Sequence, residues 1–113
     1  MKKTETYNVQ VWIGLREHYT DNSFNLDDVR NIVDGYIMKN SDCVTITPTE
    51  YRYKDGYESG AIVGWINYPR FPRSKQEINR RAFMLANELM EQLGQYRVSI
   101  VTPEETYLLE NND

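Results

Sequence analysis

Residues 43–68 read CVTITPTEYRYKDGYESGAIVGWINY, and the class of fold turns on this stretch. Its first half, Cys43 to Tyr53, is rich in Val, Thr, Ile and Tyr, the residues that fit a pleated surface. Pro48 inside it, lacking an N–H, marks a bulge or a sheet edge. Lys54-Asp55-Gly56 through Gly60 carries the signals of a hairpin turn. Ala61 to Tyr68 is a further strand, apolar on both faces, and Pro69 and Pro72 break it. Two strands joined back to back, with a helical pattern on either side, narrow the architecture to α+β.

The flanking stretches complete the pattern. Upstream, Val9, Val11, Ile13 and Leu15 alternate with Asn8, Gln10, Trp12 and Gly14, the period of a strand with one buried face. Residues 16–24 are polar and turn-rich. Asn25 then caps a helix, with Asp27 and Asp28 at its positive end. Leu26, Val29, Ile32, Val33, Tyr36 and Ile37 follow at helical spacing to about Lys39. Downstream, Ser74 and Glu77 have the spacing of a capping box. Ile78, Ala82, Leu85, Ala86, Leu89 and Leu93 form the stripe of a second helix, stopped at Gly94. Tyr96 to Val101 is a fourth strand, Thr102-Pro103-Glu104-Glu105 turns, and Tyr107-Leu108-Leu109 adds an optional short fifth strand.

The order is β-α-β-β-α-β. Right-handed crossovers place both helices on one face of an antiparallel sheet, the ferredoxin-like plait. The 113 residues fit one domain, with 1–6 and 110–113 expected to fray.

One face of such a sheet stays open. With Val9, Val11 and Ile13 turned to the helices, Trp12 faces outward. Turning Ile62 and Ile66 inward leaves Val63 and Trp65 outside. Val98 and Ile100 inward leave Arg97, Ser99 and Val101 outside. Two tryptophans and two valines exceed what a monomer usually leaves in water. Trp12, Val63, Trp65 and Arg97 are therefore the expected interface of a homodimer or larger assembly, or the surface that meets a host protein. Val11-Trp12-Ile13-Gly14-Leu15 resembles the first short motif of RNA-recognition domains. The third strand, Ser59 to Ile66, lacks the aromatics of the second motif.

The net charge of −4 also argues against general nucleic-acid affinity. That charge is unevenly spread: residues 1–66 sum to −3, residues 67–81 to +4 and residues 82–113 to −5. The basic island holds the most suggestive loop, Tyr68-Pro69-Arg70-Phe71-Pro72-Arg73-Ser74-Lys75. Arg70, Arg73 and Lys75 surround a helix start, a place suited to an anion. Arginine forks suit phosphate, and Tyr68 and Phe71 suit a base or ring. The competing reading pairs these cations with acidic residues of the same chain or of a neighbouring subunit.

No set of catalytic residues stands out. His18 is the one histidine, and its neighbours Glu17 and Asp21 could orient it as a base in an enzyme of the dimeric α+β-barrel type. A single loop histidine is more often simply solvated. Cys43, the one cysteine, excludes an intrachain disulfide and suits a reducing compartment. No metal-ligand cluster, P-loop, dinucleotide fingerprint or nucleophile elbow is present, so no cofactor is expected. No apolar run approaches the roughly 18 residues of a membrane span, and a cytoplasmic location is expected.

Gly14-Leu15 at the end of the first strand, Asp55-Gly56 in the hairpin, and Gly94-Gln95 before the last strand resemble a family of small ferredoxin-like bacterial and phage proteins of unassigned activity. In size and composition rather than motif, the chain is also similar to oligomeric phage sponges that sequester cyclic-nucleotide signals. The basic, aromatic loop at a helix start leads to the expectation of a non-enzymatic protein holding a nucleotide-like, phosphorylated small molecule at Tyr68, Arg70, Phe71, Arg73, Ser74 and Lys75. The sponges match it in role and not in any residue.

Overall fold

Asn25 starts the first helix as its residue type demands: its side chain accepts from the Asp28 N–H at 3.0 Å while Asp28 accepts from the Asn25 N–H at 2.8 Å. Ser74 caps the second helix through the Glu77 N–H at 3.1 Å. The reciprocal half of that expected capping box does not form, because Glu77 turns to Arg80 and Arg81 instead. The computed structural model of the chain describes residues 1–17 and 22–111. Its elements are β1 (Val9–Gly14), α1 (Leu26–Asn40), β2 (Thr45–Tyr53), β3 (Gly56–Trp65), α2 (Lys75–Gln92), β4 (Arg97–Val101) and β5 (Thr106–Glu110). The sheet runs β2-β3-β1-β4-β5 with every pair antiparallel. This is the ferredoxin-like plait with a fifth strand added beside β4. Glu110, expected in the frayed tail, instead closes β5 opposite Arg97.

Between the helices and the sheet lies an apolar core. Val9, Val11 and Ile13 of β1 and Val98 and Ile100 of β4 face Val29, Val33, Ile78, Leu85 and Leu89 of the helices.

The facing of β3 corrects the sequence reading. The turn is only Lys54-Asp55, with Asp55 at φ 71° and Tyr53 already paired to Gly56. Gly56 to Gly60 are therefore strand, and the register that follows sets Val63 opposite Val11 and Trp65 opposite Val9. Directly opposed residues share a face, so Val63 and Trp65 point into the core, at 0% and 2% exposure. Ile62 takes the open face, and Ile66, expected inward, lies beyond the strand and is exposed. A slip of one residue in a period-2 element inverts every side chain.

Trp65 has a second reason to turn inward, because its indole N–H donates to Asp42 Oδ2 at 2.9 Å. Asp42, just past the Ser41 cap of α1, has a side chain only 1% exposed. It also accepts from the Tyr36 hydroxyl at 2.6 Å, Arg73 Nη1 at 2.7 Å and the Cys43 N–H at 2.8 Å. Arg81 Nη1 stands 3.6 Å away. Burial by itself would raise the Asp42 carboxyl; the donors from Tyr36, Arg73, Trp65 and Cys43 outweigh it and hold it below the ordinary range. Burial, and then the same carboxylate, push the Tyr36 phenol up.

Asp42→Ala leaves two guanidinium groups, a phenol and an indole around a vacancy, and urea denaturation should show a loss of about 3–5 kcal/mol. A carboxyl with a lowered folded pKa stabilises fully above its unfolded value of about 3.9, and that contribution is lost as pH falls through the folded value. The acid limb of the stability profile should therefore flatten in Asp42→Asn relative to the parent chain.

Candidate functional site

The register places one set of residues on the open face. These are Gln10, Trp12 and Gly14 of β1, Thr45 to Tyr53 at alternate positions of β2, and Gly56, Glu58, Gly60, Ile62 and Gly64 of β3. Arg97, Ser99 and Val101 of β4 and Leu108 of β5 join them. Trp12 and Arg97 thus lie where the sequence reading put them, whereas Val63 and Trp65 do not.

A cavity of about 530 Å³ opens on this face, lined among others by Trp12, Gly14, Tyr51, Glu58, Gln95 and Arg97. It owes its shape to unequal strand lengths. β1 ends at Gly14 opposite Gly60, and the Leu15 N–H makes one further bond to the Ser59 carbonyl at 3.0 Å. Beyond that point β2 and β3 continue as a two-stranded arm through the pairs Tyr51–Glu58 and Tyr53–Gly56. On the other side stands the start of β4. The notch between arm and β4 is the cavity.

Gly14 keeps its floor low, and Gly60, beside the cavity, lets the Tyr51 wall lie close. A Cβ on Gly60 would stand 2.3 Å from the Tyr51 ring and 2.9 Å from the Ile13 carbonyl oxygen, so only glycine lets the ring lie on the backbone there. Trp12 meets Tyr51 edge-on with centroids 6.5 Å apart, giving the cavity two aromatic walls. Burial, and then the nearby Glu58 charge, raise the Tyr51 phenol.

Two acceptors converge above Gly14. A methyl group there would stand 3.2 Å from Gln95 Oε1 and 3.3 Å from Glu58 Oε2. Gln95 is 9% exposed, and its Nε2 donates to the Arg16 carbonyl at 2.6 Å and the Leu93 carbonyl at 2.9 Å. These bonds fix the amide so that Oε1 is the atom turned to the cavity. Among the described residues no hydrogen bond or ion pair engages Glu58, and Arg16 and Glu17 line the same cavity. Arg97, at the rim, pairs with Glu110 at 3.3 Å.

Most cations of the basic loop follow the competing reading, pairing within the chain. Arg73 is committed to Asp42 and to the Ser41 carbonyl, and Lys75 reaches Glu104 at 3.3 Å. Arg80 and Arg81 hold Glu77 at 2.6 and 3.0 Å and, Arg80 foremost, bring its carboxyl down to about 2. Ser74 is the helix cap, and Tyr68 and Phe71 stack on one another with centroids 5.1 Å apart. Arg70 alone of these cations is exposed without a partner among the described residues. Intrachain pairing thus accounts for most of the island.

His18 and Asp21 lie outside the described residues, while Glu17 lines the cavity. Among the described residues no helix is long and apolar enough to cross a membrane, and no three metal-ligating side chains gather. Sequence reasoning missed Tyr51, Glu58 and Gln95. The nearest signal is the spacing Gly56, Gly60, Gly64, glycines against which Tyr53, Tyr51 and Thr45 lie, beside the cavity rather than in its lining. Positions four apart in a strand share a face, and glycines there mark a close approach.

No family model matches the chain, and neither does any curated protein. Among solved structures, it is similar to a phage SAM lyase in complex with S-methyl-5′-thioadenosine, with a TM-score of 0.81 at 13% identity over 98% of this chain and 94% of that one. The same lyase in its apo state gives 0.77 at 14% identity, covering 95% and 90% of the two chains. A de novo designed protein, Foldit4, gives 0.51 at 13% identity over 89% and 99%. At these identities the likeness is one of fold: the chain shares the architecture of a small phage protein over nearly its whole length.

Proposed function

We propose that the protein binds an adenosyl nucleoside of the S-adenosylmethionine class in the open-face cavity and acts on it as a lyase. The observation that carries this reading is the pairing, in one notch, of two aromatic rings with an unpaired carboxylate. Trp12 and Tyr51 offer π-faces for a base or a sulfonium. The lining also holds Arg16, Glu17 and Arg97, so Glu58, engaged by no ion pair among the described residues, gives a local preference for a positively charged group at its own end of the cavity. A volume of about 530 Å³ falls in the range of small-molecule sites. The phage lyase named above, alike in fold, lends the ligand class.

The chemistry asks little of the protein. A sulfonium leaves as a neutral thioether, so no proton is delivered to the leaving group. As the C–S bond breaks, the ligand's own carboxylate closes on the same carbon. A C–O bond replaces the C–S bond, and a lactone and S-methyl-5′-thioadenosine result. Holding the chain in a reactive geometry inside a site that excludes water is the main requirement. Aromatic walls and a glycine floor supply shape for that purpose. On this reading the ligand lies on the sheet face rather than at the basic loop, where Arg73 and Lys75 are engaged.

The test is to mix the protein with S-adenosylmethionine, follow heat of binding, and look for S-methyl-5′-thioadenosine by mass spectrometry. Binding with product release is the expected result. Trp12→Ala and Tyr51→Ala should each weaken binding about tenfold to a hundredfold, since stacking contributes about 1–3 kcal/mol per base. Arg70→Ala should leave it unchanged. Binding without turnover would reduce the reading to a sequestering protein. Capture of a cyclic nucleotide, lost in Arg70→Ala, would return the ligand to the basic loop.

A further inference from the structure

We infer that the Glu58 carboxylate and Gln95 Oε1 together form a seat for a primary ammonium group on the ligand. The inference rests on the nucleoside reading above and assigns one end of the molecule to one end of the cavity.

Three observations lead to it. The Glu58 and Gln95 oxygens lie 3.3 and 3.2 Å from the position a Cβ on Gly14 would take, so both border the same space above that residue's backbone, where one small group can face both. Neither oxygen is spent. Gln95 uses its amide nitrogen on the Arg16 and Leu93 carbonyls and accepts nothing at Oε1, and no hydrogen bond or ion pair engages Glu58 among the described residues. No buried side-chain oxygen or nitrogen lacks a partner among those residues, so the idle Oε1 of this 9% exposed side chain opens onto the cavity it lines.

A seat with two acceptors and one negative charge selects a cationic donor. An ammonium carries three N–H donors and no acceptor, and its bonds to a carboxylate are the stronger, charge-assisted kind. A sulfonium carries charge and no N–H, so it would leave Gln95 Oε1 unanswered. A phosphate or carboxylate would meet repulsion from Glu58. The fixed amide adds discrimination, because turning it to present a donor would break its two backbone bonds. Gly14 is part of the device, for a Cβ there would stand against both oxygens and crowd the space that the ammonium enters.

The experiment uses three thioethers, uncharged at sulfur, beside S-adenosylmethionine as the sulfonium, with the folded, full chain. S-adenosylhomocysteine has the amine and the carboxylate of the amino-acid tail. S-adenosyl-3-thiopropylamine has the amine alone, and S-methyl-5′-thioadenosine has neither. In Glu58→Gln the first two should bind about tenfold or more weakly, as befits loss of a charge-assisted bond, and the third should change by less than about twofold. Gly14→Ala should give the same pattern by filling the seat, and thermal melting shows whether that variant folds; if it does not, Glu58→Gln decides.

Equal weakening of all three ligands by Glu58→Gln would overturn the seat and leave the nucleoside site standing. So would a loss confined to S-adenosylmethionine, which would place the sulfonium beside Glu58. Failure of every one of these nucleosides to bind the parent chain would remove both the seat and the function on which it rests.

Discussion

A carboxylate with a side chain 1% exposed sits where four parts of the chain meet. Asp42 follows the last turn of α1, and its partners come from α1 itself (Tyr36), the inner end of β3 (Trp65), the approach to α2 (Arg73) and α2 proper (Arg81). Burying a charge is costly unless every lone pair is answered, and here both oxygens are. The network therefore fixes geometry more than it adds stability. It sets how far α1 runs, which way Trp65 turns, and where α2 begins. Since Trp65 and Val63 share a face, the inward turn of the indole keeps Ile62, Gly60 and Glu58 on the outside. The open face inherits its chemistry from a contact on the opposite side of the sheet.

That inheritance explains which parts of the molecule were legible in the sequence. The helices announce themselves through Asn25, Ser74 and their apolar stripes, because caps and periodicity are local. β1 and β4 are equally plain, and the short edge strand near Leu108 is visible as an apolar triplet. The facing of β3 is not local. It depends on the turn being two residues rather than seven, and Gly56, Tyr57, Glu58, Ser59 and Gly60 have the composition of a turn. Only pairing with β2 and β1 makes them a strand. Asp42 was invisible for a related reason: its cationic partners lie about 30 to 40 residues away, and a single aspartate between Ser41 and Cys43 has no motif.

The basic island shows how charge in a sequence misleads when partners are distant. Five cations in fifteen residues look like an anion site. Folding adds Asp42 and Glu104 to the island's own Glu77, and four of the five cations are paired. The reverse holds at the cavity. Tyr51, Glu58 and Gln95 belong to three unremarkable stretches, and they gather only because β1 stops short while its neighbours go on.

The two sides of that notch are not built alike. Gly14, Gln95 and the start of β4 belong to the packed body, tied down by core side chains and by the bonds of the Gln95 amide. Tyr51 and Glu58 belong to an arm that is only two strands wide, its ladder bonds open to water, and a hairpin of that kind is marginally stable unless supported. The two walls thus have different stiffness. The width of the notch is a mechanical coordinate, with a soft jaw moving against a fixed one. A molecule lying between them would add cross-links that the free chain lacks, and so would take part in the folding of the arm that holds it.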